Sequence, residues 1–219
     1  EADGADNASD YSGFGNNATN FTDVTWNSTG GYDGKGAFEF DGDGDYISMV
    51  DNSLNIIDEI TVSAWVLYKN GTQFPMIVTA DSYLNGWNLY VYNYPTVNNF
   101  SFLVQENTGG WGDCWLTTDI QPIENKWYHI VGVYDGQAKM YVDGVYKGAD
   151  EGCTGDGIKL DSNDIYVGTR GDKGASTFYN GTIDEVLIFN SSLSSQQILA
   201  LYNNRTDLIV SNETVLGET

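Results

Sequence analysis

The chain has 219 residues, and 9 Lys plus Arg against 31 Asp plus Glu leave a formal net charge of −22 at pH 7. Phosphate recognition needs clustered cations to displace counterions, so this balance excludes nucleic acid as the default partner. A hydrophobic share of 41% with 14% aromatics is enough for a packed core, which excludes a disordered acidic tail, and 26 Gly against 3 Pro suit tight turns in one large β domain.

Along the chain, residues 1–35 are rich in Gly, Asn, Ser, Thr and Asp, a composition that predicts ordered loop rather than strand. From Gly36 onward apolar and polar residues alternate, which sends successive side chains of an extended chain to opposite faces. Predicted strands are Ala37-Phe38-Glu39-Phe40, Tyr46-Ile47-Ser48-Met49, Ile60 to Val66, Trp87 to Tyr92 and Phe100 to Val104. Trp115-Leu116-Thr117, Trp127 to Tyr134, Ala138 to Val142, Ile165 to Gly168 and Thr182 to Phe189 complete the set. Asp143-Gly144 marks the clearest hairpin, because Asp-Gly accepts the positive φ of a two-residue turn. Near the end, Ser194 stands three residues before Gln197, the spacing of a reciprocal capping box. Ile198, Leu201 and Tyr202 then fall on one face of a helix, and that stripe is expected against a sheet edge. Many antiparallel strands with one short C-terminal helix predict an all-β, two-sheet antiparallel sandwich.

Compartment is read from two features. The triplet Asn-X-Ser/Thr occurs at Asn7, Asn17, Asn20, Asn27, Asn70, Asn99, Asn180, Asn190, Asn204 and Asn212. With 21 Asn and 33 Ser plus Thr in 219 positions, chance supplies roughly three. The excess predicts an exported, N-glycosylated, extracellular protein. Its two cysteines, Cys114 and Cys153, lack the spacing of a zinc or redox motif and are expected to pair. The chain opens on Glu1-Ala2-Asp3 and holds no apolar run of the ~18 residues that a bilayer requires. We therefore expect no membrane span and an export signal already removed.

Asp10-Tyr11-Ser12-Gly13, Gly36 to Ile47, Ile60 to Val66, Lys126 to Gly136, Met140 to Gly144 and Phe178 to Phe189 follow one another in an order that resembles the laminin-G-like, concanavalin-A-like jelly rolls. The likeness spans about residues 5 to 204 and implies a jelly-roll sandwich over residues 1–205. The same fold hosts lectins, adhesion modules and glycosidases, so it leaves activity open. Two departures stand out. The family's first strand has no counterpart in residues 1–9, and residues 206–219 add a β-prone tail around Leu208, Ile209 and Val210. Either the tail begins a following domain, or it is an assembly strand that fills the vacant edge of another copy and builds a homopolymeric fibre.

The resemblance also implies one structural Ca²⁺, with Asp184 on the last long strand and Asp10, Gly42 and Asp43 on the other side. Calcium takes six to eight oxygens, so carbonyls and water would complete the set. Asp41-Gly42-Asp43-Gly44-Asp45 is not an EF-hand loop, since Tyr46 replaces the required Gly and Asn52 the bidentate Glu; a solvated turn explains it equally. The single histidine, His129, lies at a regular strand position and is read as packed rather than catalytic. No strand carries the closely spaced carboxylates that glycosidases of this fold use, so no enzyme activity is expected. Trp87, Tyr90, Tyr92, Trp111 and Trp115 offer flat faces for sugar rings or, equally, core packing, while Trp65 and Trp127 are assigned to packing. The resulting expectation is a structural or adhesive subunit of a surface fibre, with a Ca²⁺-dependent glycan-binding lectin module as the alternative.

Overall fold

A computed structural model of the chain describes residues 2–4, 7–10, 12, 14–50, 56–80, 85–93, 98–108, 114–160, 164–204, 209–210 and 214–215. At the front, β1 (Ala2–Gly4) and β2 (Asn7–Ala8) pair only with each other. The stretch that composition assigned to loop then supplies two strands, β3 (Asn20–Thr22) and β4 (Thr25–Asn27). Three residues cannot display a period; these strands form because longer neighbours offer them unpaired backbone groups.

Those neighbours are β5 (Ala37–Asp41), which pairs with β4, and β6 (Tyr46–Val50), which pairs with β3. Next come β7 (Ile60–Tyr68) and β8 (Met76–Ala80). The latter was not anticipated, because its apolar run follows Pro75 directly and is buried along its whole length, so it shows no alternation. β9 (Trp87–Asn93), β10 (Asn98–Val104), β11 (Cys114–Thr117), β12 (Trp127–Tyr134) and β13 (Ala138–Val142) follow the predicted runs. The Asp143-Gly144 turn, with φ of 50° and 72°, leads into β14 (Val145–Ala149), and β15 (Asp164–Val167) and β16 (Asn180–Phe189) complete the sandwich.

These strands build two antiparallel seven-stranded sheets. The first runs β11-β10-β9-β8-β15-β6-β3 and the second β14-β13-β12-β7-β16-β5-β4. Alternate residues meet between them: Trp87, Leu89, Val91, Phe100 and Phe102 from one sheet face Val62, Ala64, Val66, Ile130 and Met140 from the other. Each of the larger of these side chains contributes roughly 2 kcal/mol by leaving water. Gly132 in the middle of β12 is required by this contact, since a β-carbon there would stand 2.4 Å from the Phe102 ring.

The helix forms as the sequence signals, α1 (Ser195–Tyr202), with Ser194 and Gln197 satisfying each other's backbone N–H. Its position differs from the expectation. Ile198 and Leu201 cover Val131, Val133 and Tyr141 on the outer face of the second sheet, not its edge. The cause is that β12 and β13 carry apolar residues on both faces, so the outward set also needs cover. The tail has its own small sheet. β17 (Ile209–Val210) pairs with β18 (Thr214–Val215) within the tail and joins neither large sheet, while Leu208 lies outside the described residues.

Candidate functional site

The two sheets present very different outer faces. On the second, Asp184 in β16 sits opposite Trp65 in β7, just before a bulge at which Glu185 takes a φ of 48°. The Asp184 carboxylate accepts the backbone N–H groups of Tyr32 (3.1 Å) and Glu185 (2.9 Å), and so ties the 30–36 loop down. Burial holds the Asp184 carboxyl above the ordinary carboxylate range. Tyr32 stacks on Trp65 at 4.0 Å, and Tyr202 of the helix stacks on Trp65 as well, at 5.6 Å. Trp65 therefore packs, as expected, but outside the sandwich rather than within it; Trp127 meets the edge of Tyr32 at 6.4 Å. Burial raises the Tyr32 hydroxyl to about 12, with the charges of Glu185, Asp33 and Asp184 adding to the effect. His129, 2% exposed, shares a 2.9 Å hydrogen bond through Nε2 with Ser63 and has no partner at Nδ1. Burial lowers it to about 4, so it is neutral and structural.

On the first sheet no helix among the described residues intervenes. Outward residues of β9, β10 and β11 pair across the strands: Trp115 with Leu103, Ser101 with both Thr117 and Tyr90, and Asn99 with Tyr92. Tyr90, Leu103 and Met76 make a buried floor, and Phe74, Tyr92 and Trp115 lie half-buried over it. Tyr92 meets Trp115 edge to face at 5.0 Å and Phe74 at 5.7 Å. Polar groups fringe this aromatic arc: the Ser101–Thr117 hydroxyl pair (2.9 Å) and Arg170, held bidentate by Asp172 (2.9 and 2.8 Å). Burial and the neighbouring Tyr92 raise the Tyr90 hydroxyl far above its usual value.

Of the five aromatics proposed for a sugar platform, the structure brings Tyr92 and Trp115 together, with Tyr90 beneath them. Trp87 is corrected: at 0% exposure it belongs to the core between the sheets, because its strand position is one step out of phase with Tyr90 and Tyr92. Trp111 lies outside the described residues. Phe74 was missed, since it precedes β8 in a Gly- and Pro-flanked segment without strand periodicity.

The strand carrying Trp115 is clamped from behind. Cys114 is disulfide-bonded to Cys153, as expected, and the Trp115 backbone N–H donates to Asp150 Oδ2 at 2.8 Å. Beside the disulfide, Glu106 is 1% exposed and accepts from the Tyr134 hydroxyl (2.6 Å), the Thr154 N–H (2.6 Å) and hydroxyl (2.9 Å), and the Gly155 N–H (2.7 Å). Burial alone would raise this carboxyl; the hydrogen bonds outweigh it and hold the group below its usual range. Glu106, Cys114 and Cys153 have ligand atoms within 4.8 Å of one another. Both sulfurs are committed to the disulfide and both carboxylate oxygens to donors, so the cluster is a lock on the 150–157 loop and not a metal centre.

The expected calcium set does not converge. Asp10, Asp43 and Asp184 form no group with ligand atoms within 4.8 Å. A β-carbon on Gly42 would touch the Asn180 side chain, and Asn180 lies four residues before Asp184 on β16, which is about 13 Å of strand. The Asp10 carboxylate instead accepts the N–H groups of Ser12 (2.8 Å) and Asn16 (2.9 Å) in its own loop. The four residues therefore do not fit a single shared ion.

The frame and its two faces define an all-β jelly-roll sandwich of the concanavalin-A type. The family model for the Concanavalin A-like lectin/glucanases superfamily matches residues 41–199, and the chain belongs to that superfamily. Among solved structures, the binding domain of Paraclostridial Mosquitocidal Protein 1 is similar at a TM-score of 0.71 and 16% identity, covering 93% of this chain and 51% of that one. Domain 4 of AbnA, a GH43 extracellular arabinanase from Geobacillus stearothermophilus solved with arabinotriose, gives 0.63 at 19% identity over 82% and 81%. A native heptameric SAP-like pentraxin from Limulus polyphemus gives 0.61 at 15% identity over 82% and 86%. The chain thus spans about half the length of the mosquitocidal domain, and at these identities the likeness is one of fold. No curated protein matches the chain by sequence. Among the described residues, no helix is long and apolar enough to cross a membrane.

Proposed function

We propose that the chain is an extracellular, non-catalytic carbohydrate-binding module that contacts its glycan through the aromatic arc of Phe74, Tyr92 and Trp115. The observation that carries this reading is the arc itself. Half-buried rings sit on the helix-free face, over a packed floor and beside the Ser101, Thr117 and Arg170 fringe, and rings of this kind offer apolar faces to pyranose or furanose C–H groups while hydroxyls meet the polar rim. The disulfide and the Asn-X-Ser/Thr excess support export. The arabinotriose complex of the AbnA domain makes arabino-oligosaccharides a reasonable first member of a test panel.

The fibre reading has less behind it. The two sheets are edged at the front by β3 and β4, and the described tail strands pair with each other. The module is tested by affinity electrophoresis through a panel of soluble polysaccharides that includes arabinan. Retardation by at least one polymer is expected, with Trp115→Ala or Tyr92→Ala weakening it about tenfold, which corresponds to about 1.4 kcal/mol. Since the arc has no converging carboxylates among the described residues, retardation should persist in chelator. Mobility unchanged by every polymer, or retardation indifferent to both substitutions, sinks the proposal.

A further inference from the structure

Ten Asn-X-Ser/Thr triplets are written into the sequence, but the folded chain treats them unequally. Three of them are spent on structure. Asn27 donates through Nδ2 to Glu39 Oε1 at 2.6 Å, Asn99 to the Thr118 carbonyl at 2.5 Å and Asn180 to the Asn70 carbonyl at 3.0 Å. All three side chains are half-buried. Two are also packed against glycines at contact distance: a β-carbon on Gly30 would stand 2.6 Å from Asn27, and β-carbons on Gly42 and Gly71 would stand 3.1 and 3.2 Å from Asn180. Asn99 lies on the aromatic face, directly across from Tyr92. A glycan joined to any of these nitrogens would have to occupy space already filled by protein.

Four others are open. Asn17, Asn70, Asn190 and Asn204 have exposed side chains. The hydrogen bonds described for Asn17 and Asn70 use Oδ1, which accepts from the Asp10 N–H and the Tyr68 hydroxyl. Asn190 follows the end of β16, and Asn204 follows the helix C-cap Asn203, so this pair brackets α1. Asn20 is exposed but donates through Nδ2 to the Tyr46 hydroxyl at 3.2 Å and belongs with neither set, and the side chains of Asn7 and Asn212 lie outside what the structure describes.

We infer that Asn17, Asn70, Asn190 and Asn204 are N-glycan acceptors, that Asn27, Asn99 and Asn180 are structural and stay unmodified, and that glycans consequently bracket the helix at Asn190 and Asn204 while Asn99, across from Tyr92 on the aromatic face, carries none. The reaction forms a bond from the asparagine Nδ2 to the anomeric carbon of a polyprenyl-phosphate-linked oligosaccharide. The anomeric C–O bond to phosphate breaks, the lipid phosphate leaves, and the amide gives up one proton. The inference rests on the export half of the proposed function and is independent of which sugar the arc binds.

The test is site-by-site occupancy. The full chain is secreted from a glycosylating eukaryotic host, and its peptides are released from glycan by peptide-N-glycosidase in ¹⁸O-water, which marks each former acceptor as ¹⁸O-aspartate; a parallel digest without enzyme corrects for deamidation. Label at Asn17, Asn70, Asn190 and Asn204, with none at Asn27, Asn99 and Asn180, is the expected result. The quadruple variant N17Q/N70Q/N190Q/N204Q should lose most of the glycan mass yet keep the parent's circular dichroism. Label at Asn27, Asn99 or Asn180 in folded, monodisperse protein overturns the sorting while leaving the export reading standing. A secreted chain without label at any site overturns both.

Discussion

The outer faces of the two sheets are built from the same kinds of residue and end in opposite states. On the second sheet, Trp65 is sandwiched by Tyr32 and Tyr202, and His129 is sealed beneath a helix that the same chain supplies. On the first, Tyr92 and Trp115 meet edge to face over a buried floor, and among the described residues no helix is laid across them. Aromatics on a sheet surface therefore do not by themselves mark a contact site. What separates a finished surface from an available one is whether the chain spends another element on covering it.

Three measurements probe this contrast. The largest effect belongs to the clamp behind the aromatic face. The disulfide closes a separation of 39 residues, and replacing both Cys114 and Cys153 by Ser is expected to cost about 4 kcal/mol, read as a lower urea midpoint. Polysaccharide retardation per folded molecule should fall with it, because β11 carries Trp115 directly after Cys114; undiminished retardation would mean that the arc does not depend on the clamp. Next comes the sealed face. His129 is lowered to about 4 by burial, so the unfolded chain, with an ordinary histidine near 6.5, binds the proton more readily. Its contribution is full above pH 6.5 and is lost as pH falls toward about 4, on the order of 3 kcal/mol in all. Urea midpoints for the parent chain should drop over that window, and His129→Gln should flatten the drop. A parent profile no steeper than the variant's would show that water reaches the ring. The smallest effect tests the cover itself: Ser194→Ala removes the reciprocal cap and should cost about 1 kcal/mol without changing retardation.

Much of this architecture was legible because burial on one face imposes a period of two. β7, β9, β10, β12 and β16 lie where alternation placed them, and Ser194 with Gln197 announced the helix start. β3 and β4 were not legible, being three residues each and existing only because partners distant in sequence present free edges. The helix docked on a face rather than an edge because Val131, Val133 and Tyr141 are apolar on the outward side, a pattern hidden in strands that are apolar throughout. Within the candidate site, phase along β9 decides everything: Tyr90 and Tyr92 point out, and Trp87, an odd number of residues away, points in. The residues expected to share a calcium stand apart for a related reason. Order along the chain says which strands are neighbours but not how far apart along a shared strand two residues stand, and Gly42 packs on Asn180, four residues before Asp184 in β16.

The placement of β16 has a consequence for how the molecule comes into being. It is one of the last long segments to be synthesised among those described, yet it lies in the interior of its sheet, hydrogen-bonded on one flank to β7 and on the other to β5. A growing polypeptide therefore exposes a gap in the middle of its own fabric until β16 has emerged, and the seam closes only by pairing residues well over a hundred positions apart, the slow kind of contact. The strand that joins the two flanks of this sheet is thus also the last of the sandwich to exist, and the cloth is whole only once it is drawn in.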